Sequence, residues 1–101
     1  MPVKEWIRDL GEFRILHYRE TKKGVVIDFK VVLVALIDDE WVCVTRYDCA
    51  DGFPHQDILG KKSDLRQKVV YPSVLKNDLF RHAILDCHEN CESYRQDYLA
   101  H

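Results

Sequence analysis

The apolar positions of the chain recur with two periods, one of two residues and one near 3.6, and the change comes at Pro72. The clearest element is residues 25–37. Val25, Ile27, Phe29, Val31, Leu33, Ala35 and Ile37 alternate along one face, the pattern of a half-buried strand. Its other face begins with Asp28 and Lys30 and continues with Val32, Val34 and Leu36, so its second half is expected to be covered on both sides. Residues 12–20 read as a strand through Phe13, Ile15, Leu16 and Tyr18. Thr21-Lys22-Lys23-Gly24 is the turn between the two, with Gly24 suited to a positive φ. Asp38-Asp39-Glu40 makes a tight hairpin into a strand over 41–48. Gly52 and Pro54 mark 49–54 as a loop, 55–59 is a short extended piece, 60–64 a turn and 65–71 a returning strand. Near the start, Trp6, Ile7 and Leu10 have helical spacing, so 3–10 reads as a short helix or turn ending at Gly11.

Beyond Pro72, Ser73 is a good N-cap, and 74–98 reads as one helix, about 38 Å long at 1.5 Å per residue. Its apolar stripe is Leu75, Leu79, Ala83, Cys87 and Cys91, widened by Phe80 and Ile84 and continued by Tyr94 and Tyr98. The outer face is acidic, with Asp78, Asp86, Glu89, Glu92 and Asp97 against Lys76, Arg81 and Arg95. The expected fold is α+β: an antiparallel meander of about four strands with one long C-terminal helix packed on the sheet.

A length of 101 residues allows one domain spanning 1–101 and leaves no room for a second. A net charge of -2 argues against a protein that coats nucleic acid generally. No apolar run approaches the roughly 20 residues of a membrane-spanning helix. Charges at Lys4 and Glu5 stand where a signal peptide needs its apolar core. A cytoplasmic protein with reduced thiols is therefore expected. Cys87 and Cys91, four apart on a helix, could join Cys43 or Cys49 around zinc. They lie on the stripe that packs against the sheet, however, where free cysteine behaves as a small hydrophobe. The four glycines are scattered, which excludes P-loop and Rossmann phosphate cradles.

One constellation bears chemistry. Arg46 and Asp48 share a face of their strand, opposite Trp41, Cys43, Thr45 and Tyr47, and His55 and Asp57 share a face of the next extended piece. Folded as a hairpin, these pieces bring a cation, two carboxylates and an imidazole together. A histidine oriented by a carboxylate is a general base unit, and a fixed arginine stabilises a developing phosphate anion. RNA cleavage through the 2′-hydroxyl needs no more than that, so no metal or other cofactor is expected. In this reading His55 is the general acid or base, Asp57 orients it, and Arg46 holds phosphate with Asp48 fixing the arginine. The plainer alternative is an Arg46–Asp48 ion pair on a solvated sheet face, with His55 a loop residue. Lys61, Lys62, Arg66 and Lys68 surround the following turn and could contact a phosphate backbone. They could equally be a lysine-rich guard on a sheet edge.

The run Arg46-Tyr47-Asp48-x-Ala50-x-x-x-Pro54-His55 resembles the signature of the TumE-like toxin family. It also resembles a group of short uncharacterised proteins with the motif Arg-Tyr-Asp-x-Ala-His-Gly-x-x-His-x-Asp-Ile-Leu, in which Gly52, His55, Asp57, Ile58 and Leu59 fall in step. Asp51 departs from that motif, standing where related sequences have histidine, and Gln56-Asp57 replaces a histidine-rich stretch. The similarity covers about residues 24–60. It implies a small intracellular protein of toxin–antitoxin type, with an antitoxin or other protein as partner, while RNA as target follows from the chemistry of the constellation. Pairing of the long helix would give a homodimer. The reading from another class is a non-catalytic protein-interaction module, whose partner binds the sheet edge or the acidic helix face.

Overall fold

The computed structural model describes residues 2–49, 53–62 and 65–101. Its period-two half is a six-stranded antiparallel meander. β1 (Val3–Asp9), β2 (Phe13–Lys22), β3 (Val25–Ile37), β4 (Glu40–Asp48), β5 (His55–Ile58) and β6 (Gln67–Val70) lie side by side in chain order. α1 (Lys76–Glu89) and α2 (Cys91–Ala100) follow. The α+β meander with C-terminal helical structure is as expected, but with six strands instead of about four and two helices instead of one. Among the described residues, no helix is long and apolar enough to cross a membrane. The expectations placed on Ala50, Asp51, Gly52, Ser63 and Asp64 lie outside the described residues.

Two tight hairpins set the register of the long strands. Lys23 and Gly24 have φ of 52° and 78°, and Asp38 and Asp39 have φ of 50° and 65°. Two consecutive positive φ values match the type I′ turn, whose twist suits a two-residue hairpin.

The segment expected to be a short helix is β1. A helix of so few residues does not stabilise itself, whereas the edge of β2 offers partners from Val3↔Glu20 to Asp9↔Arg14. Gly11, at φ 84°, closes the turn, and its N–H donates to Asp9 Oδ1 at 2.9 Å. Trp6 then turns inward, where it stacks on His17 at 4.5 Å and meets Phe80 edge-on at 6.1 Å.

Two register shifts correct the simple alternation, one between Glu20 and Thr21 and one between Leu33 and Val34. Each extra residue reverses which face the positions beyond it occupy. Val26 therefore enters the core at 6% exposure while Val25 stays 59% exposed. For the same reason Cys43 pairs with Val34 and Trp41 with Leu36. That puts both on the face of Arg46, away from Thr45 and Tyr47, with which they had been grouped.

The core lies between the inner sheet face and the helices. Phe13, Ile15, Phe29, Val31, Leu33, Ala35 and Tyr47 pack against Leu79, Phe80, Ala83 and Cys87, and α1 lies mainly on β3. Each fully buried aliphatic or aromatic side chain here contributes about 1.5–3 kcal/mol of transfer free energy.

The helix begins later than expected. Its N-cap is Leu75, with no side-chain cap hydrogen bond, and Ser73 lies in the preceding turn. Lys76 Nζ, donating to the Ile27 carbonyl at 3.0 Å, fixes the first turn instead. Leu75 is 70% exposed, so the inward stripe begins at Leu79. The break falls at Asn90 (φ -114°, ψ 20°), a residue whose side chain competes with helical hydrogen bonding. Its Nδ2 donates to Asp86 Oδ1 at 2.8 Å. The end of α2 docks on the turn after β5, where Lys61 N–H donates to Tyr98 O and Lys62 N–H to His101 O, both at 3.0 Å. Gly60 permits that approach, since a Cβ there would sit 3.0 Å from the His101 carbonyl carbon.

Candidate functional site

The helices cover the face that carries Thr45, Tyr47 and Gln56. Arg46, Asp48, His55 and Asp57 point to the other. The β4–β5 register sets Asp48 opposite His55 and Arg46 opposite Asp57. Side chains directly across an antiparallel pair have Cβ atoms about 5 Å apart, closer than neighbours two apart on one strand. The contacts therefore form across strands. Arg46 Nε donates to Asp57 Oδ2 at 3.0 Å. His55 Nε2 lies 3.0 Å from Asp48 Oδ1 and 3.7 Å from Asp57 Oδ1. The hairpin thus gathers the four residues, but with the partners exchanged. Asp48 is the closer partner of His55, and Asp57 fixes the arginine.

Three of the four are desolvated: His55 is 3% exposed, Asp57 5% and Asp48 8%. The Arg46 side chain is 45% exposed, and its guanidinium is held protonated even more firmly than usual, chiefly by its hydrogen bond to Asp57. His55 Nδ1 lies 3.5 Å from the Phe53 carbonyl, to which only an Nδ1–H can donate. Nε2 then looks at two carboxylate oxygens. One of them, Asp57 Oδ1, is buried with no hydrogen-bond partner among the described residues. Desolvated carboxylates are costly unless paired and hydrogen-bonded, so this oxygen marks an unfinished site. Asp48, His55 and Asp57 offer ligand atoms that all lie within 4.8 Å of one another.

Around this cluster the uncovered face is concave. A cleft of about 400 Å³ borders Asp48 and is lined by Glu5, Tyr18, Asp28, Lys30 and Cys49. An apolar groove of about 520 Å³ runs over Ile7, Leu16 and Val32.

The zinc reading is not supported by placement. All four cysteines are free, and no cysteine belongs to the group of three metal-competent side chains found among the described residues. Burial pushes the Cys87 and Cys43 thiols up, away from the reactive thiolate. Of the basic residues near the turn, Arg66 is committed to Asp97, with Nε and Nη2 donating at 3.0 and 2.6 Å. The acidic helix face is similarly reduced, because Asp97 holds Arg66 and Asp86 turns inward.

Asp86 belongs to a second polar network, one that sequence reading missed. Tyr47 donates its hydroxyl to Asp86 Oδ2 at 2.7 Å, and Tyr94 donates to the same oxygen. Gln56 Nε2 donates to Tyr94 at 2.8 Å and to Thr45 Oγ1 at 3.1 Å, and Thr45 donates on to the Asp57 carbonyl at 2.9 Å. Burial, with the hydrogen bonding to Asp86 second, raises the pKa of both tyrosines. The available signal was spacing: Asp86 lies seven residues after Leu79 and three after Ala83, on the buried stripe itself.

Fold and cluster define a class: a small α+β protein with a desolvated ionisable centre on the outer face of an antiparallel meander. The chain belongs to the family described as a domain of unknown function, DUF7718, whose model matches residues 1–101. No curated protein and no solved structure matches it.

Proposed function

We propose that the Arg46–Asp57–His55–Asp48 cluster is the working centre of a phosphodiester-directed protein, a toxin-type ribonuclease acting in the cytoplasm. The observation that supports it most is the burial of three ionisable groups on the sheet face opposite the core side chains Thr45, Tyr47 and Gln56, with a half-exposed arginine at their edge. A core needs no such arrangement, because replacing buried ion pairs by apolar residues is commonly neutral or stabilising. Arg46, tethered at Nε by Asp57, can meet a phosphate with its terminal nitrogens. His55 supplies the imidazole of the cluster, the side-chain type most often used as general acid or base. The resemblance of residues 46–59 to toxin-type sequences points the same way. An antitoxin partner and pairing into a homodimer belong to this reading.

Induced expression of wild type, Arg46→Ala and His55→Ala in a bacterial host tests it through growth and total RNA integrity. Arrest with RNA loss in the wild type alone is expected. Normal growth and intact RNA in all three overturn it. The groove over Ile7, Leu16 and Val32 favours a second reading, a non-catalytic interaction module, because Ile7 is 63% exposed on this face. Under that reading Ile7→Asp abolishes co-purification of a partner, and Arg46→Ala leaves it intact.

A further inference from the structure

We propose that Asp48, His55 and Asp57 form a binding site for one divalent transition-metal cation of the Mn²⁺ or Zn²⁺ type. Each of the three residues offers one ligand atom, a ring nitrogen of His55 and a carboxylate oxygen each of Asp48 and Asp57, all within 4.8 Å of one another on residues that are all buried. Bonds of about 2.0–2.2 Å from one ion put neighbouring ligand atoms about 3.0–3.5 Å apart in octahedral or tetrahedral geometry. The imidazole nitrogen already stands 3.0 and 3.7 Å from the two carboxylate oxygens. Little movement is needed to close the set.

Two further features point to a cation at this spot. Asp57 Oδ1 is a buried carboxylate oxygen aimed into the cluster with no hydrogen-bond partner, and a bound cation would satisfy it. The groups behind the ligands are also those a metal site uses. With Nε2 on a cation the ring proton sits on Nδ1, 3.5 Å from the Phe53 carbonyl oxygen. Arg46 grips the other oxygen of Asp57 at 3.0 Å, which turns Oδ1 inward. Two carboxylates and one imidazole suit Mn²⁺ and Zn²⁺ better than the soft cations that thiolates select. Entry is through the cleft beside Asp48, whose wall also carries Glu5 and Asp28. Lys30 stands across from Asp48 and Lys68 across from Asp57. Both lysines are exposed, unlike the three buried ligand residues.

The inference rests on ligand geometry, not on the ribonuclease reading. With the ion in place Nε2 is a ligand. Binding is measured without any RNA. Calorimetric titration of chelator-treated full chain with MnCl₂ and with ZnCl₂ is expected to give one site per chain. Asp57→Asn should weaken it about 100-fold or more, and Arg46→Gln about 10–100-fold through the displaced carboxylate. His82→Ala, an exposed imidazole elsewhere, should leave it unchanged. Far-ultraviolet circular dichroism checks that each variant is folded. Should Asp57→Asn fail to fold, paramagnetic broadening by Mn²⁺ in the wild-type amide spectrum decides, and broadening centred on 48, 55 and 57 is expected. No binding, binding that survives Asp57→Asn, or broadening centred elsewhere overturns the proposal. RNA cleavage that persists in chelator, with calorimetry showing no site, would overturn the cation and leave the ribonuclease reading standing.

Discussion

β4 and β5 carry a polar cluster on each of their faces, and the two are built to opposite standards. On the inner face, Tyr47 and Tyr94 share Asp86 as acceptor, and Gln56 runs from Tyr94 to Thr45. Those groups are paired, and they tie β4 and β5 to both helices. On the outer face, Arg46, Asp57, His55 and Asp48 spread their charges over one hairpin, and one carboxylate oxygen is left without a hydrogen bond. A satisfied network rigidifies a core. An unsatisfied one costs stability, and its persistence is an argument for a ligand or a reaction. The same four-residue strand β5 thus contributes Gln56 to architecture, and His55 and Asp57 to the candidate site, by alternation alone.

The strongest way to break this comparison is to remove the hub of each cluster in turn. Asp86→Ala leaves the Tyr47 hydroxyl, on a residue 1% exposed, and that of Tyr94 without their acceptor. Orphaned buried donors cost about 1–3 kcal/mol each, so a loss of about 2–4 kcal/mol is expected in urea unfolding, at unchanged m-value. Asp57→Asn on the outer face should cost less than about 1 kcal/mol in metal-free buffer. It removes a desolvated charge along with an ion pair to a half-exposed arginine, and such pairs contribute about 0–1 kcal/mol. Equal losses at the two positions would mean that both clusters are structural, and the functional reading of the outer one would fall.

That contrast bears on what the sequence made legible. The period-two run of β3, the hairpin at Asp38–Asp39 and the meeting of Arg46, Asp48, His55 and Asp57 follow from alternation and turn chemistry, which act over a few residues. What misled were features set by a neighbour. β1 is a strand because the edge of β2 is there to be paired, and its own helical spacing loses to that. The register shifts at Glu20/Thr21 and Leu33/Val34 have no local signature, yet they move Val25, Trp41 and Cys43 to the other face. Which carboxylate serves His55 was settled by cross-strand register, and same-strand spacing predicted the reverse. Asp86 was read as solvated because it is an acid, although its position on the stripe placed it inward.

A smaller effect sharpens the comparison through its two imidazoles. His17 lies on the inner face, stacked on Trp6 with Nδ1 3.1 Å from the Trp6 carbonyl. Burial lowers its pKa from the usual 6.5, against the raising effect of that hydrogen bond. A histidine whose folded pKa is depressed contributes fully above the unfolded value. Its contribution is lost as pH falls through 6.5 towards the folded pKa, because the unfolded chain then binds the proton more readily. His17→Gln keeps a donor for the Trp6 carbonyl and does not titrate. The thermal midpoint of the wild type should therefore fall more steeply than that of the variant between about pH 7 and about pH 5. Parallel curves would show that His17 charges without penalty and that the inner face tolerates an ion.

The smallest effect is expected at the helix junction, and it tests where the inner network gets its strength. Asn90 donates to Asp86 Oδ1 at 2.8 Å, but this bond is exposed, so water can replace it when the side chain is removed. Asn90→Ala also substitutes the best helix former at the break, which offsets part of the loss. The net change should be within about 0.5 kcal/mol of zero, read from the urea midpoint. Asp86 would still hold both tyrosine hydroxyls, and the sheet would still be braced. A cost as large as that of Asp86→Ala would relocate the bracing from the buried hydroxyls to the bend between α1 and α2. The inner face would then owe its rigidity to helix geometry, and a fully paired polar network would no longer be what separates it from the outer one.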